Sequence, residues 1–169
     1  RELAFARRSQ FLKLYGQSHI NAAFSYTRPT GNRFYGGERG AWYCAWDALT
    51  SAAEVGFHRT RELAFVGRYE SEARYVELLA DFIGDFPDLH DEPGHAALNP
   101  EPVPSYPAGQ ALAGARRGDG RGGGGCPSVR RRGGRWFFAF DPGIVQNVRP
   151  GASWTLAWTG TPEFSIIGR

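Results

Sequence analysis

Several residue types and sequence features are scarce in this chain of 169 residues. It has no methionine, a single lysine (Lys13) and only two cysteines, Cys44 and Cys126. Because the two cysteines form no C-x-x-C pair, they favour free thiols over a disulfide framework. No apolar run approaches the roughly 20 residues that a membrane helix needs, and the N-terminal residues lack the apolar core of a signal peptide. These absences predict a cytoplasmic protein without a membrane anchor. The missing initial methionine predicts that the sequence begins inside a longer protein.

The composition is that of a folded globular domain. Hydrophobic residues make up 41% of the chain and aromatic residues 14%, which argues against general disorder. A length of 169 residues suits one domain with its own core. We therefore treat residues 1–169 as a single domain.

Positive charge is concentrated in one stretch. The net charge is +3, but residues 116–135 hold seven arginines and one aspartate, which gives +6. The other residues hold 13 basic and 16 acidic side chains, which gives −3. This asymmetry predicts an anionic ligand or partner near the C-terminal third of the chain.

Residues 32–61 carry the most informative pattern. Residues 32–35 form a short aromatic segment, which predicts a strand that ends at the following glycine turn. Residues 41–46 form a compact apolar run, which predicts a buried strand. Asp47 then offers an N-cap for a helix over residues 48–61.

This order of elements would bring Arg33, Tyr43 and Glu54 within reach of one pocket. Taken singly, none of the three is diagnostic, because Glu54 also suits a solvated helix position, Arg33 a surface site and Tyr43 a core. One face of the helix carries mostly small residues, which can pack closely on a sheet. They are Leu49, Ala52, Ala53, Gly56 and Thr60.

The rest of the chain predicts short elements joined by turns. Helices are expected over residues 11–15 and 110–117, and strands over residues 22–26, 65–69, 74–79, 136–140, 144–148, 154–158 and 164–167. In the strand at 154–158, Trp154, Leu156 and Trp158 share one face. Short strands, frequent turns and few long helices predict an α+β fold with mixed, mostly antiparallel sheets.

Two segments are expected to be irregular. Residues 87–107 hold six prolines, which predict a long ordered loop or a flexible lid. The acidic and histidine side chains of this segment match no zinc or calcium spacing, so a solvated loop is favoured and no metal is expected. Residues 118–125 are rich in glycine, which predicts local disorder.

The central segment resembles the RES domain, the toxin component of a bacterial toxin–antitoxin pair. The family pattern is an arginine and an aromatic residue before a glycine-containing turn, then a Y-x-A strand, then a helix with alanine before glutamate. The matching residues here are Arg33-Phe34, Gly36-Gly37, Tyr43-Cys44-Ala45 and Ala52-Ala53-Glu54, with His58 also in a familiar place. A second block resembles the family's serine-valine-arginine segment. It consists of Cys126-Pro127-Ser128-Val129-Arg130 before Gly133-Gly134, and a helix start at Gln110 precedes it at the expected distance.

The resemblance implies the fold of ADP-ribosylating toxins and NAD+ as substrate. The implied activity is that of an NAD+ phosphorylase, an NAD+ glycohydrolase or an ADP-ribosyltransferase. Glu54 would hold a ribose hydroxyl or face the developing sugar cation, Arg33 would hold the pyrophosphate, and Tyr43 would contact nicotinamide or ribose. Ser128 and Arg130 are implied as a second phosphate or ribose contact, with a turn serine and a solvated basic loop as the alternatives. A helix-turn-helix antitoxin is the implied partner, and direct nucleic-acid binding is not expected.

The sequence departs from the family in two places. RES proteins have an earlier strand with another cofactor-binding arginine, for which Arg7 and Arg8 are substitutes only in principle, so a domain without its first N-terminal strand is one interpretation. Gly124 and Gly125 stand where the family has an apolar strand. A catalytically inactive RES-like domain therefore stays open as an alternative. Two others are a structural partner-binding domain and an arginine- and glycine-rich nucleic-acid-binding module, in which the aromatic residues at 136–138 stack on bases.

Overall fold

The computed structural model describes residues 16–168. The helix predicted over residues 11–15, Arg7 and Arg8 lie outside the described residues. The helices are α1 (Gln17–Ser25), α2 (Ala48–Val66) and α3 (Pro102–Gly118), with short 3-10 turns at Ala96–Leu98 and Pro142–Ile144. The strands are β1 (Trp42–Ala45), β2 (Glu70–Phe82), β3 (Gly123–Pro127), β4 (Arg135–Ala139), β5 (Val145–Thr159) and β6 (Phe164–Gly168).

The first sheet has the order β1-β4-β3, and both of its strand pairs are antiparallel. Its central strand separates two cores, because successive side chains of a strand point to opposite faces. Phe138 packs with Phe34, stacked at 4.0 Å between ring centroids, in the core that also contains Leu89 and Cys126. Phe137 belongs to the opposite core with Ile20 and the start of β5.

The second sheet has the order β2-β5-β6, again antiparallel throughout. Helix α2 packs on it, and Ala52 and Leu63 form a core with Leu156 and Trp158. Gly56 permits this close approach, since a Cβ there would lie 2.1 Å from the Phe164 ring. The two sheets and three helices of the described chain confirm the predicted α+β class.

Helix α2 begins as predicted and ends later. Asp47 Oδ1 accepts a hydrogen bond from the Thr50 amide at 2.9 Å, the interaction of an N-cap. The helix continues past residue 61 to Val66 and ends at Gly67, whose φ of +70° lies in the left-handed region. Residues 65 and 66 are therefore helical, and the strand predicted over residues 65–69 is wrong, because β2 starts at residue 70. The prediction that Leu49 belongs to the sheet-facing side of the helix is wrong, since this residue is 42% exposed.

Two apolar segments were assigned the wrong structure from the sequence. Residues 22–25, predicted as part of a strand, belong to α1, which buries Ile20 against the second core. Residues 32–35 form a tight turn instead of a strand, in which Asn32 and Tyr35 exchange two backbone hydrogen bonds of 2.8 and 3.2 Å.

The strands predicted at 144–148 and 154–158 are one strand, β5, which pairs with β2 with two register shifts. Leu156 and Trp158 are buried on one face of it, as predicted.

The proline-rich and glycine-rich segments are more regular than predicted. Residues 102–107 form the start of α3, with Pro102 in the first turn, where its missing N–H is tolerated. Gln110 therefore lies inside α3 and not at its start. Residues 123–125 are three of the five residues of strand β3, and a Cβ at Gly124 would lie 2.3 Å from Arg116 Nη1. Glycine is needed there for packing, so the prediction of local disorder is wrong for these residues.

None of the helices in the described part of the chain combines the length and the apolar character needed to cross a membrane.

Candidate functional site

A cavity of about 860 Å³ opens between the segment that leads into β1, the middle of α2 and the first half of α3. Its floor includes Cys126, Trp136 and Phe138 from the first sheet. Arg33, Tyr43 and Glu54 all line this cavity. The fold thus brings together the three residues that the sequence places 10 and 11 positions apart.

Tyr43 joins strand β1 to the tight turn at residues 32–35. Its hydroxyl donates to Asn32 Oδ1 at 2.8 Å and accepts from the Phe34 amide at 3.2 Å. Burial raises the pKa of the Tyr43 phenol far above its ordinary value, so the group stays neutral at physiological pH. Because the hydroxyl already donates one hydrogen bond and accepts another, the neutral Tyr43 side chain is a fixed part of the cavity wall.

Arg33 holds a neighbouring loop as well as facing the cavity. Its Nη1 atom donates to the carbonyl of Asn99 at 2.7 Å and to the carbonyl of Ala97. Helix α3 presses on the same residue, because a Cβ at Gly109 would lie 2.1 Å from the Arg33 carbonyl oxygen. Gln110 Nε2 supports the turn from the same helix and donates to the Asn32 carbonyl at 3.0 Å. One nitrogen of the Arg33 guanidinium is therefore committed to the protein.

Glu54 lies on the cavity side of α2, with a side chain that is 21% exposed. Its Oε1 atom is 3.5 Å from His58 Nε2, one helical turn later. Its Oε2 atom is 3.9 Å from Arg130 Nε. Both Oε2 and that Nε are buried, and neither has a hydrogen-bond partner within residues 16–168, which is costly for charged groups.

Ser128 and Arg130 are not among the described residues that line the cavity. The Ser128 hydroxyl accepts from the amides of Arg130 at 3.2 Å and Arg131 at 3.1 Å, which closes a local turn. Arg130 lies behind Glu54 and donates from Nη2 to the Pro100 carbonyl at 2.6 Å. The structure therefore brings Arg130 to Glu54 and leaves Ser128 in the turn that carries Arg130.

The cavity is lined by more positive than negative charge. Among the described residues, five arginines face two glutamates along its wall, a difference of three positive charges. The arginines are Arg28, Arg33, Arg39, Arg59 and Arg61, and the glutamates are Glu54 and Glu62. Such a wall favours an anionic ligand. No periodic pattern in the sequence indicates Arg28 and Arg39, because both lie in irregular segments on either side of the tight turn.

The arginine-rich stretch at 116–135 does not build this positive wall. Two of its arginines form ion pairs with carboxylates elsewhere: Arg131 pairs with Asp47 at 3.4 Å and Arg135 with Asp88 at 2.9 Å. Phe137 and Phe138 are 6% and 1% exposed, so neither ring is available to stack on a base. The observed packing thus removes Phe137 and Phe138 from the nucleic-acid-binding alternative, whereas Trp136, its third aromatic residue, is partly buried and lines the cavity.

Comparison with known families identifies the chain. No curated protein matches it. The RES domain family matches residues 10–159, a span that includes the tight turn, α2 and the serine-valine-arginine segment. Because this match covers most of the sequence, the chain belongs to the RES domain family.

Proposed function

We propose that this protein consumes NAD+ by cleaving the bond between nicotinamide and ribose. The RES family is associated with NAD+-related toxins. The observation that carries the proposal is Glu54, a carboxylate 21% exposed on the wall of an arginine-lined cavity, whose Oε2 atom is buried and has no hydrogen-bond partner among residues 16–168. A carboxylate of this kind is poised to interact with a sugar that becomes positively charged.

The chemistry of the bond explains why one carboxylate is enough. Nicotinamide carries a positive charge while it is attached to ribose and leaves as a neutral molecule, so the leaving group needs little acid catalysis. The sugar becomes cation-like in the transition state, and a fixed negative charge stabilises it. We assign this role to Glu54, whose carboxylate is also able to accept from a ribose hydroxyl.

The rest of the cavity would bind and orient the dinucleotide. Its volume of about 860 Å³ lies in the range of about 300–1,000 Å³ that is usual for ligand sites. Arg33 would hold the pyrophosphate with the nitrogens that do not hold the loop, since a planar fork of donors suits phosphate oxygens. Tyr43 would pack against nicotinamide or ribose as a neutral aromatic wall.

The test is to incubate the purified protein with NAD+ and inorganic phosphate and to measure released nicotinamide. We expect release from the wild type and none from the Glu54→Ala variant. The second product identifies the acceptor: ADP-ribose phosphate means phosphorolysis, ADP-ribose means hydrolysis, and a labelled protein means ADP-ribosyl transfer. If the wild type releases no nicotinamide, or if Glu54→Ala releases it at the same rate, the proposal is wrong.

We also propose that a helix-turn-helix antitoxin covers the cavity. The large apolar side chains at its rim support a protein partner: Tyr26, Val55 and Val103 line the cavity and are 73%, 36% and 86% exposed. Exposed apolar groups of this size are common at protein interfaces. Adding the purified antitoxin should suppress nicotinamide release, and charged substitutions at Val103 should weaken that suppression. Suppression that is unchanged by Val103→Asp would place the antitoxin elsewhere.

A further inference from the structure

Arg130 is held in one orientation by contacts from two separate parts of the chain. Its guanidinium lies over the ring of Phe57, with Cζ 3.4 Å from the ring centroid. Its Nη2 atom donates to the Pro100 carbonyl at 2.6 Å. The side chain is only 13% exposed. A planar cation stacked on an aromatic ring and tied by a hydrogen bond has little freedom to move.

The same orientation places the charge of Arg130 behind Glu54. Phe57 and Glu54 lie three positions apart on α2, so the helix presents both to Arg130. The Arg130 Nε atom is 3.9 Å from Glu54 Oε2, which is an ion-pair distance but too long for a hydrogen bond. Burial lowers the pKa of Arg130, and Glu54 opposes that change, but an arginine keeps its charge at neutral pH.

These contacts argue against a direct phosphate contact for Arg130. A phosphate-binding arginine presents its fork of donors to the ligand, whereas one end of this fork is used by the Pro100 carbonyl and one face by Phe57. Arg130 is also not among the described cavity-lining residues. Its buried Nε atom lies next to the Glu54 carboxylate.

We propose that Arg130 is a positioning residue for Glu54, and that Phe57 is the platform that fixes Arg130 in place. The inference rests on the proposed function of Glu54 and deepens it. Arg130 balances the charge of the carboxylate and limits its rotation through Oε2, so that Glu54 keeps its place on the cavity wall. Phe57 acts through Arg130 and touches no substrate.

Kinetics separate this role from phosphate binding. Arg130→Met removes the charge, and Phe57→Leu removes the flat platform but keeps an apolar side chain. For both variants we expect kcat for nicotinamide release to fall, on the order of a hundredfold for Arg130→Met, because a misplaced group costs rate in the chemical step. The KM for NAD+ should change by less than about threefold. Phe57→Tyr, which keeps an aromatic ring, should restore most of the rate that Phe57→Leu loses.

The substrate provides a second comparison. Nicotinamide riboside contains the scissile bond but no phosphate. A positioning role predicts that Arg130→Met slows cleavage of NAD+ and of nicotinamide riboside by the same factor. A phosphate contact predicts a large rise in KM for NAD+ and little or no loss with the riboside, and that result would overturn the proposal.

A stability measurement tests the contacts without using activity. In a double-mutant cycle with denaturant, Phe57→Leu and Arg130→Met should together destabilise the protein less than the sum of their separate effects. The Glu54→Gln and Arg130→Met pair should show the same non-additivity. Additive effects in both cycles would overturn the inference. A different result would overturn the proposed function instead. If both cycles show coupling but the wild-type protein releases no nicotinamide, the contacts of Arg130 with Phe57 and Glu54 are present but do not serve this reaction.

Discussion

The hydroxyl of Tyr43 donates to Asn32 Oδ1 at 2.8 Å and links strand β1 to the turn that carries Arg33. It also accepts from the Phe34 amide at 3.2 Å, and the Phe34 ring stacks on Phe138 in the centre of the first sheet. The hydrogen bonds of one phenol oxygen thus connect the turn, the strand and the core. The position of Arg33 in the cavity depends on these hydrogen bonds.

Removing that oxygen should cost stability. Tyr43→Phe keeps the ring but leaves the Phe34 amide and Asn32 without this partner, and we expect the free energy of unfolding to fall by about 1–2 kcal/mol. Chemical denaturation followed by fluorescence measures the change. The matched control is Tyr26→Phe, because Tyr26 is 73% exposed and water can satisfy its hydroxyl. Equal stability of the two variants would mean that the Tyr43 hydrogen bonds do not fix the turn.

The charge and the reach of Glu54 should both matter. Glu54→Gln keeps the shape and removes the charge, whereas Glu54→Asp keeps the charge and withdraws it toward the helix. We expect nicotinamide release to fall by about a hundredfold or more in each, since electrostatic stabilisation depends on a fixed charge at a fixed place. Initial rates at saturating NAD+ give the comparison.

Glu72→Gln is the control for this pair. Glu72 lies on β2 and pairs only with the exposed Arg74 among the described residues, at 3.0 Å, and an exposed pair of this kind contributes little to stability. Its rate should match the wild type. If Glu54→Gln keeps full activity, the Glu54 carboxylate takes no part in the reaction.

The two thiols should be unreactive in the folded protein. Burial raises the pKa of Cys44 to about 12 and that of Cys126 to about 12. Because the thiolate is the reactive form, very little of either group is reactive at pH 8, and the reactive fraction grows only as the pH approaches 12. Alkylation at pH 8, followed by mass spectrometry, should leave both cysteines unmodified in native protein and modify both after unfolding in denaturant. Rapid modification of native Cys126, which faces the cavity, would show that this thiol is not protected.

Local signals in the sequence predicted the elements that local interactions determine. Asp47 caps α2 through a bond to a residue three positions away, so residue types alone identify the helix start. The end of α2 was missed because residues 62–66 include Leu63, whose burial against the second sheet supports the last turns. Residues 22–25 were misread as a strand because the partner that stabilises α1, the core around Phe137, comes from much later in the chain.

The glycine-rich strand shows a second limit. By composition, residues 123–125 predict disorder, yet Gly124 is the point where Arg116 of α3 crosses β3. A side chain at that position would collide with the arginine, so glycine supports the packing there. Only knowledge of which helix crosses which strand reveals this, and neither periodicity nor propensity contains it.

For the candidate site as well, the sequence predicts one part and the whole fold determines the other. The resemblance to RES proteins named Arg33, Tyr43 and Glu54, and the structure places these three on one cavity. Ser128 and Arg130, named for the same site, are not among the described residues that line it. The contacts that each of them makes could not be predicted. Arg33 bonds to Asn99, 66 positions away, and Glu54 meets Arg130 at 3.9 Å. These contacts depend on how α2 and α3 meet the first sheet, which is a property of the whole fold.

Two glycines of α3 should respond to the same substitution in opposite directions. A Cβ at Gly109 would lie 2.1 Å from the Arg33 carbonyl oxygen, whereas a Cβ at Gly114 would meet nothing within 4 Å. Gly109→Ala should therefore push α3 away from the turn and lower the free energy of unfolding by about 1–3 kcal/mol. Gly114→Ala should raise it by about 0.5–1 kcal/mol, because alanine is the better helix former at an exposed site.

The pair also tests how α3 supports the site. If α3 holds the turn that carries Arg33, Gly109→Ala should raise the KM for NAD+ as well as lower stability, while Gly114→Ala should leave the KM unchanged. Denaturation midpoints and steady-state kinetics on the same two preparations provide both readouts. A Gly109→Ala variant as stable as Gly114→Ala would contradict the close contact between α3 and the turn. A destabilised variant with an unchanged KM would keep the contact but show that Arg33 does not need α3 to engage its ligand.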